Sequence, residues 1–334
     1  MRSHTGLLVM SYGTPRGLDD VAAFYTHIRG GRPPSPEFLA DLTARYTAIG
    51  GRSPLIEITE SLARCLEDEL NRDRGTEFRV VHGMKHQRPF IEDAVSALAS
   101  GGAATGIGLV LAPHYSAMNT GEYLARAGRA AAEAALPMTF VRHWHDHPRV
   151  LDLITGRVLA ARQALRSRER EGTPVVFTAH SLPARILASG DPYPAQVRQT
   201  ADAIAGIVGL ERWLIAWQSA GRTGQEWLGP DLGTVLRRLA AEGHRAVIVC
   251  PVGFVADHLE VLYDVDIDAR RVACQAGLRL VRTRSLNDDP EFAAALAAIV
   301  RDHLAANPLI AEESPAGTSP GRDAGSRHGL GAGR

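Results

Sequence analysis

The stretch Ala246-Val247-Ile248-Val249-Cys250-Pro251-Val252-Gly253-Phe254-Val255-Ala256-Asp257-His258-Leu259-Glu260-Val261-Leu262-Tyr263-Asp264-Val265-Asp266-Ile267-Asp268 decides how this chain is read. Its first five residues form an apolar run without alternation, the mark of a strand buried on both faces of a parallel sheet. The segment after such a strand opens a helix at the strand's C-terminal end, where open α/β sheets hold their ligands. The spacing predicts that helix from about Gly253. On it, Asp257, Glu260, Asp264 and Asp268 put four carboxylates in one slowly drifting line. Like charges at that spacing repel, so the line is either a solvated acidic face or a place prepared for a cation. His258 and Tyr263 in the same stretch, and its position at a strand end, favour the cation.

The rest of the chain repeats this alternation. Apolar runs of strand length are predicted at 7–10, 78–82, 108–112 and 138–141, then at 174–178, 213–216, 246–250 and 278–281. Helical stretches fall between them, at 18–30, 36–48, 54–72, 91–98, 120–135, 149–168, 194–208 and 231–241, with a closing helix at 294–304. Strands alternating with helices of this length argue for parallel sheets covered on both faces, an α/β fold. Thr178-Ala179-His180-Ser181-Leu182-Pro183 echoes Leu111-Ala112-Pro113-His114-Tyr115-Ser116, which hints at two related halves.

A length of 334 residues exceeds one comfortable core and implies two domains. With 45% hydrophobic and 22% charged residues, neither disorder nor membrane spanning is indicated for the bulk of the chain. Lys+Arg and Asp+Glu number 37 each, so no polyanionic partner such as nucleic acid is advertised. Cys65, Cys250 and Cys274 are odd in number and widely spaced, which points away from a disulfide framework and towards a reducing cytoplasm. The N-terminal apolar run is too short for a signal or a transmembrane anchor. Residues 308–334, rich in Gly, Ser and Pro, are expected to be disordered.

The predicted strand ends carry Tyr12, Lys85, His86, His114, Tyr115, His180, Ser181, Gln218, Ser219 and Glu260. One such residue is ordinary; several converging on one cleft are hard to explain by packing. Gly106-Ile107-Gly108 is read as preceding a strand and lacks a third glycine, which argues against a dinucleotide site. His143-Trp144-His145-Asp146-His147 resembles a metal clasp, but its place between the halves makes exposed interdomain histidines the plainer reading. His180 with Glu260 is the sharper pair. Imidazole plus carboxylate without thiolate suits a borderline divalent metal such as iron(II), and histidine also suits proton removal. Metal insertion into a ring that must lose two N–H protons needs both.

Several motifs then become recognisable together: Ser11-Tyr12-Gly13-Thr14-Pro15, Tyr25-Thr26-His27-Ile28-Arg29, Arg45-Tyr46 with Gly50-Gly51-Arg52-Ser53-Pro54, Gly83-Met84-Lys85-His86, Ala112-Pro113-His114-Tyr115-Ser116, Ala179-His180-Ser181-Leu182-Pro183, Trp217-Gln218-Ser219 and the acidic stretch. In this order, from about residue 5 to 305, they resemble the ferrochelatase family. The resemblance implies two Rossmann-like (chelatase-type) domains, each a parallel sheet flanked by helices, with a porphyrin cleft between them. Residues 1–143 plus a returning helix at 286–307 would form the first domain and 144–285 the second.

The resemblance also assigns roles. It places iron binding and proton abstraction on His180 and Glu260, and ion passage on Asp264 and Asp268, in a region that is often π-helical in the family. It places the macrocycle and its propionates against Arg29, Arg45, Tyr46, Ser53 and Tyr123. Tyr12, as an axial iron ligand, looks like the coproporphyrin III type; protoporphyrin enzymes have an apolar residue there. The expected reaction is insertion of Fe(II) as substrate into coproporphyrin III, in haem synthesis in the cytoplasm, with transient contact to neighbouring pathway enzymes. No cofactor is expected to be permanently bound, and with no cysteine beyond Cys274 no iron–sulfur cluster is expected. The alternatives are a protoporphyrin IX ferrochelatase, a cobalt or nickel chelatase, and, outside enzymes, a haem or iron carrier.

Overall fold

The computed structural model describes residues 4–72, 75–221 and 224–307. The tail at 308–334, expected to be disordered, lies outside the described residues. The first half runs β1 (His4–Ser11), α1 (Val21–Ile28), α2 (Pro36–Ala48), α3 (Leu55–Leu70), β2 (Phe78–Met84), α4 (Ile91–Ser100), β3 (Ala103–Val110), α5 (Thr120–Glu133) and β4 (Met138–Val141). The second runs α6 (Pro148–Gln163), α7 (Ser167–Arg170), β5 (Val175–His180), α8 (Tyr193–Val208), β6 (Trp213–Gln218), α9 (Leu232–Ala241) and β7 (Ala246–Cys250). It continues through α10 (Leu259–Leu262), a π-helical turn at Asp264–Ala269, α11 (Arg270–Gln275), β8 (Arg279–Arg282) and α12 (Pro290–Ala306).

Each half builds one four-stranded, wholly parallel sheet, in the orders β2-β1-β3-β4 and β6-β5-β7-β8. Numbered from its own first strand, each sheet has the order 2-1-3-4. The halves therefore share one topology, as the repeated motif hinted. From β1 the chain crosses to one side and then to the other, and from β5 it does the same. The crevices between β1 and β3 and between β5 and β7 are thus the switch points where an open sheet takes a ligand.

The inner strands are apolar because both of their faces are covered. Leu7, Leu8, Val9 and Met10 of β1 are fully buried, as are Val247, Ile248 and Val249 of β7. One hydrophobic cluster unites Leu7, Val9 and Leu109 with Phe177, Ile248 and Phe292, so a single core runs through both halves. Trp144 fastens the junction: its indole Nε1 donates to the Val110 carbonyl at 3.0 Å, and its ring lies 5.9 Å from that of Phe292. α12 returns across the molecule to pack on α3 and α6, and Arg301 donates to the Glu69 carbonyl at 3.0 Å. No helix among the described residues is long and apolar enough to cross a membrane.

Two local expectations are corrected. Gly106 and Gly108 lie inside β3, which starts at Ala103 and ends at Val110, rather than ahead of it and running to 112. A Cβ on Gly108 would stand 2.5 Å from the Phe140 ring, so this glycine serves close packing against β4. The acidic helix does not begin at Gly253: residues 253–258 form a non-helical connection, and α10 starts at Leu259 with His258 as an extended N-cap. Asp257 is therefore off the carboxylate line. It accepts from Ser285 at 2.7 Å and Asn287 at 3.0 Å and pairs with Arg282 at 3.2 Å, which makes it a brace for the loop after β8.

Candidate metal and tetrapyrrole site

β5 ends on His180, whose backbone carbonyl accepts from the Tyr193 hydroxyl at 2.9 Å. Its Nδ1–H donates to the carbonyl of Ser181. That bond fixes which nitrogen is offered: Nε2 faces away, 3.5 Å from Oε1 of Glu260. The other carboxylate oxygen of Glu260 stands 3.9 Å from Nε2 of His258, and the Glu260 carbonyl accepts from Gln218 at 3.1 Å. Glu260 is thus a carboxylate between two imidazoles on a short helix pinned from behind.

Gly253 brings these strangers in sequence together. Its N–H donates to the Thr178 carbonyl at 3.0 Å, which lays the segment after β7 flat on β5. A Cβ there would meet the Ala179 Cβ at 2.6 Å and its Cα at 2.7 Å, with backbone that cannot swing aside. Gly253→Ala is expected to push Glu260 away from His180 and to cost about 1–3 kcal/mol of stability by overpacking. Urea unfolding reads the stability loss, and a Zn(II) titration reads the weakened pair. Wild-type values in both would show that the approach is not tight.

The electrostatics follow from this geometry. Burial acts to lower the His180 pKa, but the adjacent Glu260 carboxylate outweighs it and the imidazole is lifted to about 9. Burial acts to raise Glu260, and the neighbouring His180 overrides it, holding the carboxyl well below its usual range. Both shifts express one attraction. Asp264 behaves oppositely: burial and, more weakly, Glu260 lift it to about 6, against the Ser219 hydroxyl and Arg45, which favour its charged form.

The acidic line bends into the π-helical turn, whose wider winding is marked by the Asp268 N–H donating to the Tyr263 carbonyl at 2.9 Å. Asp264 accepts from Ser219, which takes a positive φ of 58°, a cost an L-residue bears only where the surroundings enforce it. Arg45 of α2 reaches across to Asp264 at 3.7 Å while holding Asp41 at 3.1 Å. Asp268 pairs with Arg271. Asp266 points to the other side and is clasped by Arg282 at 2.8–3.0 Å.

His180 and Glu260 lie in a cleft of about 310 Å³ whose walls include Tyr12 and Lys85 from the first half and Leu182 and Phe254 from the second. Tyr12 is 41% exposed, so it is presented to the opening rather than packed away. Tyr123 is buried in the wall with Lys85 Nζ 5.1 Å above its ring, and Lys85 also reaches Glu122 at 2.6 Å. Arg45, Asp264 and Asp268 line an adjoining hollow behind Glu260. Tyr46 is buried with its hydroxyl 3.3 Å from that of Thr14, Ser53 is buried and accepts from the Leu55 N–H at the start of α3, and Arg29 is exposed at the end of α1. These last three do not line the cleft. Sequence reasoning counted His258 only as company for the acidic line and left Tyr193 and Arg282 without roles; the signal of these two is contact between separate segments, which periodicity does not carry.

Such an arrangement suits a small borderline cation exchanging with protons beside a mostly apolar cleft. Comparison with known proteins shows the family. A family-wide sequence profile described as Ferrochelatase matches residues 4–304. The chain is 46% identical over 303 residues to the Coproporphyrin III ferrochelatase of Geobacillus thermodenitrificans (strain NG80-2), covering 90% of this chain and 96% of that protein. It is 44% identical over 307 residues to the Coproporphyrin III ferrochelatase of Bacillus subtilis (strain 168), covering 91% and 99%. In fold it is similar to a solved structure described as SirB from Bacillus subtilis with Fe3+, with a TM-score of 0.59 at 12% identity over 90% of this chain and 95% of that one. With two chelatase-type sheets and a family match running almost from end to end of the described residues, this chain belongs to the ferrochelatase family.

Proposed function

We propose that this protein inserts ferrous iron into coproporphyrin III, releasing two protons and yielding the iron porphyrin as a step of haem synthesis. The observation that carries it is the His180–Glu260 pair, 3.5 Å apart, set in a cleft walled by both halves with Tyr12 presented to the opening. Iron(II) replaces the proton on His180 Nε2, since Nδ1 is committed to Ser181. The displaced proton leaves through the carboxylates behind His180; as the iron then passes to the ring nitrogens it frees Nε2, which takes one pyrrole N–H proton while those carboxylates take the other. Asp264, lifted to about 6, exchanges protons near neutrality, as a relay to the outer hollow requires. Binding the four carboxylates of the macrocycle offsets the cost of bending it so that its nitrogens tip towards His180, about 1–5 kcal/mol of strain on general grounds.

Lys85 is the cationic side chain of the cleft wall and is proposed to meet one of those carboxylates. Arg29, Tyr46 and Ser53 do not line the cleft, and no contact with the macrocycle is proposed for them. Arg45 must leave Asp264 to reach a propionate, so porphyrin binding and the state of the acidic line are coupled through it.

Although the Tyr12 ring opens to the cleft mouth, the walls around it and then Glu260 push its phenol up, so it stays protonated until a metal in the macrocycle draws it into ligation. Tyr12→Phe is expected to leave insertion within about threefold of wild type and to change the visible spectrum of the bound product. An unchanged spectrum would remove the axial role. An insertion assay with coproporphyrin III and protoporphyrin IX side by side tests the substrate: preference for the first supports the proposal, and equal or reversed rates contradict it.

The reaction is proposed to take place in the cytoplasm, a reading supported by the free Cys65, Cys250 and Cys274, and product transfer to the next pathway enzyme is proposed to be transient. Three cysteines in the whole chain fall short of the four thiolates of an ordinary cluster, so turnover is proposed to need no iron–sulfur centre. Cluster absorption in purified protein would contradict this.

A further inference from the structure

The connection from β4 to α6, His143-Trp144-His145-Asp146-His147, holds a second group of ligand-type side chains behind the cleft wall. Its histidines are not all exposed, contrary to the plain reading of the sequence: His145 is only 3% exposed, because α8 covers it. The His145 Nε2 stands 2.9 Å from Oε1 of Gln199 on that helix. An amide oxygen only accepts, so Nε2 carries the hydrogen and Nδ1 keeps its lone pair. That Nδ1 is buried and has no hydrogen-bond partner, a costly state that native structures seldom leave unexplained.

The lone pair faces other donors. Oδ1 of Asp146 lies 3.9 Å from His145 Nδ1 and equally 3.9 Å from His143 Nδ1. Ligand atoms of the three residues all fall within 4.8 Å of one another. We propose that His143, His145 and Asp146 form a divalent-metal site, distinct from the His180–Glu260 pair, that takes a borderline ion such as zinc(II) or ferrous iron.

Two imidazoles and a carboxylate, without thiolate, are the donor set such ions prefer. Metal–nitrogen bonds of about 2.0–2.1 Å require the donors to draw together by about half an ångström. The exposed His143 and Asp146, 45% and 65% accessible, supply that movement and leave the remaining coordination positions to water. Gln199 is the outer partner that sets the ring nitrogen offered, as ligand histidines ordinarily need. Trp144, between the two histidines, fixes the backbone through its N–H to the Pro113 carbonyl and its indole to Val110, both 3.0 Å. His147 is outside the set, turned to Asp302 at 3.4 Å. The ring of His114, which lines the cleft, is 5.5 Å from that of His145, so the ion would sit one side chain behind the cleft wall.

Equilibrium dialysis of metal-stripped full-length protein against Zn(II), in a His180→Ala/Glu260→Gln background, tests the proposal with the cleft pair removed. One zinc ion per chain is expected to remain and to be lost on adding His143→Ala or Asp146→Asn. Both are surface changes, so circular dichroism is expected to stay unchanged. Gln199→Ala is expected to weaken the site by about tenfold to a hundredfold. A background protein that binds no zinc, or one whose zinc affinity is untouched by His143→Ala and Asp146→Asn, overturns the proposal. Because the cleft ligands are already absent, failure here is separate from failure of the insertion reading, which the porphyrin assay decides.

Discussion

Replacing His180 by alanine is expected to slow iron insertion by about a hundredfold to ten-thousandfold in single turnover, the range of a positioned proton acceptor, while coproporphyrin III binding stays within about threefold of wild type. The reason is that His180 sits at the end of β5 with Nδ1 already spent on Ser181. Its only free function is at Nε2, where both the metal and the pyrrole proton must come. The side chains proposed to anchor the macrocycle are others that line the cleft, such as Lys85 and Tyr123. Rapid-mixing absorbance measures the rate and porphyrin fluorescence the affinity. A variant that binds porphyrin poorly but inserts at full rate would reverse the assignment.

Glu260→Gln is expected to have the second-largest effect, and its signature is in the pH profile. In the free protein the carboxylate holds the proton on His180 until about pH 9. Iron(II) must displace that proton, so the apparent metal affinity rises with pH, by about tenfold per unit below that value, and levels off above it. With glutamine the charge is gone while burial still disfavours the imidazolium. The acid limb is then expected to move down by about two units or more, towards the ordinary histidine value near 6.5. The plateau falls as well, because one ligand of the ion is lost. An acid limb that does not move would mean that another group controls the profile.

The same attraction contributes to folding. His180 is raised in the folded state, so its share is fully present below its ordinary pKa of 6.5 and is lost as pH rises through about 9. Glu260 is depressed, so its share is present above its ordinary 4.5 and is lost only in strong acid.

Much of this was legible in the residues themselves. The eight strands announced themselves because both faces of each inner strand are covered, as Val175–Phe177 and Val247–Val249 are, so their apolar runs are unbroken. His180 and Tyr12 could be placed because a residue just after such a run stands at a strand end. The start of the acidic helix was misplaced for a physical reason. Gly253 is there to lie against Ala179 of β5, a contact between segments distant in sequence, and Asp257 answers to Arg282 on β8. The burial of His145 was equally hidden, since it depends on where α8 packs. The link from Arg45 to Asp264 joins the two halves and no local pattern reports it. What the chain spells locally is strand, helix and their ends; what it leaves unspelled are the tertiary contacts that set side-chain charge and direction.

The most direct measurement is a crystal structure of the protein soaked or grown with metal-free coproporphyrin III. The macrocycle is expected between the two sheets, its pyrrole nitrogens within hydrogen-bonding reach of His180 Nε2 and Tyr12 on the opposite face. A porphyrin bound elsewhere, or bound in the cleft with its nitrogens turned away from both His180 and Glu260, would contradict the proposed chemistry.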